Sequence, residues 1–90
     1  MATIIIPAVL RKLTQQQPKV IIEGDTIQEV FNNLIQQYPA FKIYLCDKNN
    51  ELPSFVSIYL NDKNIKHYSQ ETISITDHDI VTIIPAIAGG

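Results

Sequence analysis

The chain is short of the residues that do covalent and metal chemistry. Its 90 residues include one cysteine, two histidines, one methionine and no tryptophan. A lone Cys46 excludes an internal disulfide framework and suits a reducing compartment. His67 and His78 stand apart from each other and from Cys46, with no zinc-site spacing, so no metal is expected. Basic residues are scattered (Arg11, Lys12, Lys19, Lys42, Lys48, Lys63, Lys66), and the net charge is −2. No basic stripe results, which argues against a nucleic-acid partner. The longest apolar run, Ile4 to Leu10, is too short to span a bilayer, and no signal-peptide pattern precedes it. Only three glycines occur, Gly24, Gly89 and Gly90, so there is no glycine-rich phosphate loop. No membrane association is expected. What remains is one small soluble domain with an ordinary apolar fraction of 46%.

Two of the three glycines close the sequence. With average glycine usage near 7%, a chance pair at the last two positions has odds of roughly 0.5%. A turn does not explain Gly89-Gly90, because nothing follows for a turn to connect. Without Cβ atoms the pair forms a thin, bendable thread that enters channels closed to side chains. The alternative reading is a frayed end without a role.

The rest of the chain reads as alternating strands around one helix. Thr3–Leu10 is rich in β-branched residues and is predicted as a strand, with Ile4 and Ile6 on one face and Thr3 and Ile5 on the other. Pro7 calls for a bulge or an edge position. Arg11–Pro18 reads as a polar loop and Lys19–Glu23 as a second strand. Thr26-Ile27-Gln28-Glu29 is a capping box, and Asp25 adds favourable charge at the helix start. Ile27, Val30, Phe31, Leu34, Ile35 and Tyr38 then recur at helical spacing along one face, and Pro39 ends it. Phe41–Leu45 reads as a short helical turn or irregular segment, and Asp47–Pro53 as turn-rich. Phe55–Leu60 is a third strand, with Val56, Ile58 and Leu60 facing one way and Phe55, Ser57 and Tyr59 the other. A turn at Asn61–Asn64 leads to a short strand at Ile65–His67. Ile73 and Ile75 dip into the core, and Asp77-His78-Asp79 turns into a last strand, Ile80–Ile84. That strand alternates apolar residues on both faces, which places it inside the sheet. The order β-β-α-β-β-β defines an α+β domain: a mixed four- to five-stranded sheet packed on one main helix. Its expected core is Ile4, Ile6, Ile22, Ile27, Val30, Phe31, Leu34, Val56, Ile58, Val81 and Ile83. The domain covers 1–85, and 86–90 form a flexible tail.

Few side chains suggest chemistry of their own. Cys46 borders an apolar stretch and reads as a small buried hydrophobe rather than a nucleophile or persulfide carrier. Asp77 and Asp79 flank a turn, where capping roles are commoner than acid–base work. Tyr59 and Phe55 lie on the face away from the core. They mark an interaction surface, unless the segment around Tyr44 covers them.

Taken together, the Gly24-Asp25-Thr26 lead into the helix, Phe55-Val56-Ser57-Ile58-Tyr59-Leu60-Asn61-Asp62, and Pro85-Ala86-Ile87-Ala88-Gly89-Gly90 resemble the ThiS/MoaD sulfur carriers. The likeness spans essentially the whole chain and is greatest to the CysO-type branch of cysteine-biosynthesis carriers, which shares an Ile6-Pro7 near the start. It implies a ubiquitin-like β-grasp fold. It also implies that a ubiquitin-activating-type adenylyltransferase uses ATP to adenylate the Gly90 carboxylate. A sulfur donor enzyme then converts the adenylate to a thiocarboxylate. The acceptor would be a cysteine synthase, a molybdopterin synthase large subunit, or thiazole-forming machinery. On this reading the protein is a cytoplasmic carrier rather than an enzyme and holds no cofactor stably. Gly90 and Gly89 bear the chemistry, and Tyr59, Phe55, Pro85, Ala86, Ile87 and Ala88 meet partners. Two other readings use the same features: a protein modifier joined through Gly90, and a non-covalent interaction module. The departure from the family pattern is His78, where glycine is frequent; it implies a turn conformation that glycine tolerates better.

Overall fold

In a computed structural model, residues 1–46, 53, 55–65 and 73–85 are described. The sheet has strands β1 (Ala2–Ile5), β2 (Lys19–Ile22), β3 (Val56–Leu60), β4 (Lys63–Asn64) and β5 (Ile80–Pro85). Their spatial order is β2-β1-β5-β3-β4. β5 is therefore central, as its two-faced apolar pattern implies. It runs parallel to β1, pairing Thr3 with Ile80 and Ile5 with Thr82. It runs antiparallel to β3, pairing Ser57 with Ile84 and Tyr59 with Thr82. The sheet is thus mixed, within the predicted strand count.

The main helix, α1, spans Ile27–Gln37. The Glu29 amide donates to Thr26 Oγ1 at 3.2 Å. The Glu29 carboxylate reaches back to accept from the Asp25 amide at 3.0 Å. Two amides at the helix start are thereby satisfied. A third, that of Ile27, donates to the Ile73 carbonyl at 3.1 Å, and Ile75 returns a bond to Asp25 at 2.9 Å. The segment at Ile73–Ile75 so clamps the front of the helix. Gly24 precedes it with φ +149°, and a Cβ there would sit 2.7 Å from Val30 Cγ2. Only glycine fits where the chain turns so tightly against the helix. After α1, a 3-10 turn at Pro39–Phe41 leads to the short helix α2, Lys42–Leu45.

The helix face and the inner sheet face meet in one core. All eleven predicted core residues are buried. Leu10, Val20, Phe41, Leu45, Ile65 and Ile75 join them.

Two elements differ from the sequence reading. The first strand stops at Ile5, and Ala8–Thr14 forms a 3-10 helix capped by Pro7. β1 is flanked on both sides, so Pro7 neither bulges it nor lies on an edge strand. Its φ of −66° and missing donor end the strand and start the helix. Leu10 is buried, and the Thr14 hydroxyl, also buried, lies 2.8 Å from the Gln17 carbonyl. The supposed polar loop is thus a packed connection. Second, β4 begins two residues earlier than expected. Asn61 adopts φ 56° and makes the turn a two-residue one, with Leu60 opposite Lys63. Ile65 still bonds Ile58 through its amide, at 3.0 Å; His67 lies outside the described residues.

Leu34 is fully buried in the middle of the helix face. Leu34→Ala is expected to cost about 2–5 kcal/mol, measured by urea unfolding. A loss below about 0.5 kcal/mol would show that the helix does not depend on this face.

Candidate functional site

The site is the end of the central strand together with the outer face of the sheet around it. Along β5, Val81 and Ile83 are buried while Ile80 and Ile84 are exposed. On β3, Val56 and Ile58 are buried, and Ser57 and Tyr59 turn outward. Register then assembles the outer surface. One row reads Lys19, Ile5, Thr82, Tyr59, Asn64 across all five strands. Ile84 stands beside Ser57 one step nearer the strand end. Phe55, just before β3, is 44% exposed although its ring meets that of Tyr44 edge-on, centroids 6.3 Å apart. The Tyr44 segment therefore leans on Phe55 without covering it. Tyr59 is half-buried among its strand neighbours.

Pro85 closes β5 opposite Val56, on the helix-facing side of the sheet. The predicted partner residues Tyr59 and Pro85 thus lie on opposite faces and apart along the ladder, Tyr59 opposite Thr82 and Pro85 opposite Val56. Ala86, Ile87, Ala88, Gly89 and Gly90 lie outside the described residues. Ile84 and Ile80 belong to the surface but were not singled out by sequence. The signal was present in the two-faced alternation of the last strand; the missing knowledge was that nothing among the described residues covers the second face.

At the other end of β5, a hydrogen-bonded clasp fixes the register. The Ile80 amide donates to Asn61 Oδ1 at 3.0 Å, and Asn61 Nδ2 donates to Asp79 Oδ1 at 3.1 Å. The Asn61 amide donates to the Ile80 carbonyl at 2.7 Å. Asp79 Oδ2 accepts from the Thr76 amide at 2.8 Å. That bond, with the one from Asn61, holds the Asp79 carboxyl below its ordinary value of 3.8. Asp77 is lowered too, by its 2.8 Å contact with the amino group of Met1. The two aspartates serve the turn, as the sequence suggested. His78 needs no glycine-like conformation, contrary to expectation: the only non-glycine residues with positive φ among those described are Gln15, Gln16 and Asn61. Cys46 is partly buried against the core. Among the described residues no cluster of His, Cys, Asp or Glu could hold a metal ion. None of their helices is long and apolar enough to cross a membrane.

This arrangement presents a partly exposed sheet face and a strand end, without a catalytic constellation among the described residues. Comparison with known proteins gives the arrangement a family. The model of the ThiS family matches residues 4–90. The sulfur carrier protein CysO of Mycobacterium tuberculosis is 38% identical over 98% of this chain and 97% of its own. The crystal structure of that organism's CysO, an antigen, superposes with TM-score 0.84 at 35% identity, covering 97% of this chain and 100% of the other. A chain of the Amycolatopsis orientalis BexX/CysO complex gives 0.87 at 29% identity, with both chains fully covered. The solution structure of small archaeal modifier protein 1 from Methanosarcina acetivorans gives 0.78 at 25% identity, covering 99% and 95%. The chain belongs to the ThiS family, and its fold is the ubiquitin-like β-grasp.

A depressed carboxylate stabilises the fold above its unfolded-state value, and this contribution is lost as pH falls through the depressed folded-state value. Asp79→Asn is therefore expected to lower the melting temperature at neutral pH, with the gap to the native chain closing in acid. Melting curves across the acid range check this; a gap independent of pH would assign the loss to geometry alone.

Proposed function

We propose that this chain carries sulfur on the carboxyl group of Gly90, in the manner of the CysO-type cysteine-biosynthesis carriers. The observation that carries the reading is the identity of 38% to a sulfur carrier protein across almost the whole of both chains. The chain is a sulfur carrier, and the chemistry follows from what a carboxylate lacks. It is a poor electrophile, because its negative charge resists attack at carbon. In the proposed cycle an adenylyltransferase of the ubiquitin-activating type joins the Gly90 carboxylate to the α-phosphorus of ATP, releasing pyrophosphate. Hydrosulfide supplied by a donor enzyme attacks the acyl carbon, AMP leaves with the bonding electron pair, and loss of the sulfur-bound proton gives a thiocarboxylate. Its terminal sulfur is a soft nucleophile, delivered while bound to protein.

On this reading the chain supplies reach and recognition, while the catalytic groups belong to its partners. The six residues Pro85–Gly90, fully extended, span at most about 20 Å. Pro85 is anchored by its ladder pairing with Val56, so the reach starts from a fixed point. Gly89 and Gly90 keep the tip narrow. The outer face with Tyr59, Ile84 and Phe55 provides the apolar contact that aligns the domain on a partner. The cysteine-synthase acceptor is favoured over molybdopterin or thiazole machinery because the identity is to CysO. The likeness to small archaeal modifier protein 1 supports a second reading, in which the same activated carboxylate is joined to protein amines.

Incubation with the activating enzyme, ATP and a sulfur donor is expected to raise the intact mass by the difference between sulfur and oxygen. A chain lacking Gly89 and Gly90 is expected to remain unchanged in mass and to melt within a few degrees of the full chain. Equal conversion of the truncated chain would sink the proposal. Products linked to lysine amines, in place of the mass shift, would favour the modifier reading.

Tyr59→Ala tests the docking face separately. It is expected to weaken binding to the activating enzyme about tenfold in calorimetric titration, in keeping with the weight of aromatic anchors. The melting temperature should move little. Unchanged affinity would place recognition in the tail alone.

A further inference from the structure

The edge strand β2 ends the sheet on the side away from β3 and β4, and its sequence is self-complementary. Lys19-Val20-Ile21-Ile22-Glu23 has an apolar centre and opposite charges at its ends. In the β1–β2 ladder, Ile4 faces Val20 and Ala2 faces Ile22. The Ile6 amide donates to the Pro18 carbonyl at 2.8 Å. By the alternation of an antiparallel ladder, Val20 and Ile22 spend their main-chain groups on β1, whereas Lys19 and Ile21 turn theirs outward, and Glu23 follows directly after the strand. Among the described residues, β2 pairs with β1 alone. The Ile21 side chain, on the outer sheet face, is 65% exposed, and Lys19 and Glu23 are exposed as well.

Helix α1 does not cover this edge. A groove of about 520 Å³ separates the two, lined by Met1, Ile21, Ile22 and Glu23 and by Asn33, Gln36 and Gln37 of the helix. Asn33 Nδ2 crosses it to donate to the Glu23 carbonyl at 2.8 Å. That oxygen keeps a second lone pair for a partner strand.

We propose that β2 is an interface for a second copy of this chain, paired antiparallel about a two-fold axis at Ile21. The axis places Ile21 opposite Ile21, with reciprocal amide-to-carbonyl bonds. It places Lys19 of each copy opposite Glu23 of the other, the arrangement in which opposite charges on facing strands attract. Parallel pairing in the same alignment would set lysine beside lysine and glutamate beside glutamate. The charge pattern therefore selects both the orientation and the register, and its occupant is this same strand. The amide groups of the two helices would face one another across the joined grooves. β5 and the end of its ladder at Pro85 are one strand removed from the contact, so the strand end stays open in both copies. Four-residue strands bury little surface, so the dimer is weak and forms as concentration rises.

The test uses the full chain and its charge variants. Sedimentation equilibrium and amide spectra are recorded from micromolar to millimolar concentration. The native chain is expected to dimerise with increasing concentration, with shifts centred on Lys19, Ile21 and Glu23. Lys19→Glu alone and Glu23→Lys alone should each weaken self-association about tenfold, since the two-fold axis applies each change twice. An equimolar mixture of the two single variants should associate again, because every facing pair is then of opposite charge. The double variant should recover as well. All variants alter exposed side chains, and matching melting curves verify that each is folded. A native chain that stays monomeric throughout would overturn the proposal. So would shifts confined to other strands, or a mixture that associates no better than its components.

Discussion

The parallel pairing of β1 with β5 is the constraint on which the rest of the structure depends. It joins residues near the two ends of the sequence, Ile4 to Val81 and Ile5 to Thr82. A parallel pair cannot be closed by a tight turn, so everything between the two strands must serve as the crossover. The helix is laid against the sheet within that crossover, and β3 is returned to flank β5 on its free side. β5 is thereby flanked on both sides at the centre of the sheet. The ladder that holds the domain together runs up to Pro85, the residue from which the proposed carrier segment would extend.

That geometry explains why the turn clasp matters far from the strand end it serves. Asn61 bonds the Ile80 amide and carbonyl, and Asp79 bonds Asn61 and Thr76. These contacts fix where β5 begins relative to β3. A slip by one residue would turn Val81 and Ile83 outward and bring Ile80, Thr82 and Ile84 into the core. Because Thr82 of that outer set would be buried as a polar residue, the slipped state is penalised twice. Polar contacts at one end thus secure which side chains are shown at the other.

Much of this was legible in the sequence, where local chemistry and burial agree. The helix shows its cap at Thr26 and its buried face at Ile27, Val30, Phe31 and Leu34, and the structure has both. The 3-10 helix at Ala8–Thr14 was not legible, because Ala8-Val9-Leu10 continues the apolar run of β1. Only the tertiary burial of Leu10 and Thr14 reveals that the chain has folded back. β4 was displaced because Asn61 advertises a turn without stating its length, and the length follows from its left-handed φ. At the candidate site, Tyr59 could be placed on the outer face by period alone, whereas Phe55 precedes β3 and packs its ring against Tyr44. Ile84 could not be distinguished from a core residue, since a strand apolar on both sides reads as buried on both. Whether a second layer covers that face is a property of the whole topology, beyond any window of sequence.

The outer face shows how the fold separates stability from recognition. The domain buries one side of its sheet against one helix. On the other side Ile21, Ile80 and Ile84 are substantially exposed and Ile5 and Tyr59 half-buried, while Phe55, just before β3, is exposed as well. Leaving large apolar side chains in water forgoes their burial energy, about 25 cal/mol per Å². Scattered singly they would signify little, but register brings Ile84 beside Ser57, next to the Thr82–Tyr59 pair and toward Phe55. Ile21 lies at the opposite margin, on an edge with its own charge pattern. The two contacts proposed above would therefore use different parts of the sheet: one beside β5, the other on the edge strand β2. Their separation rests on β1 alone, the strand that lies between β2 and β5.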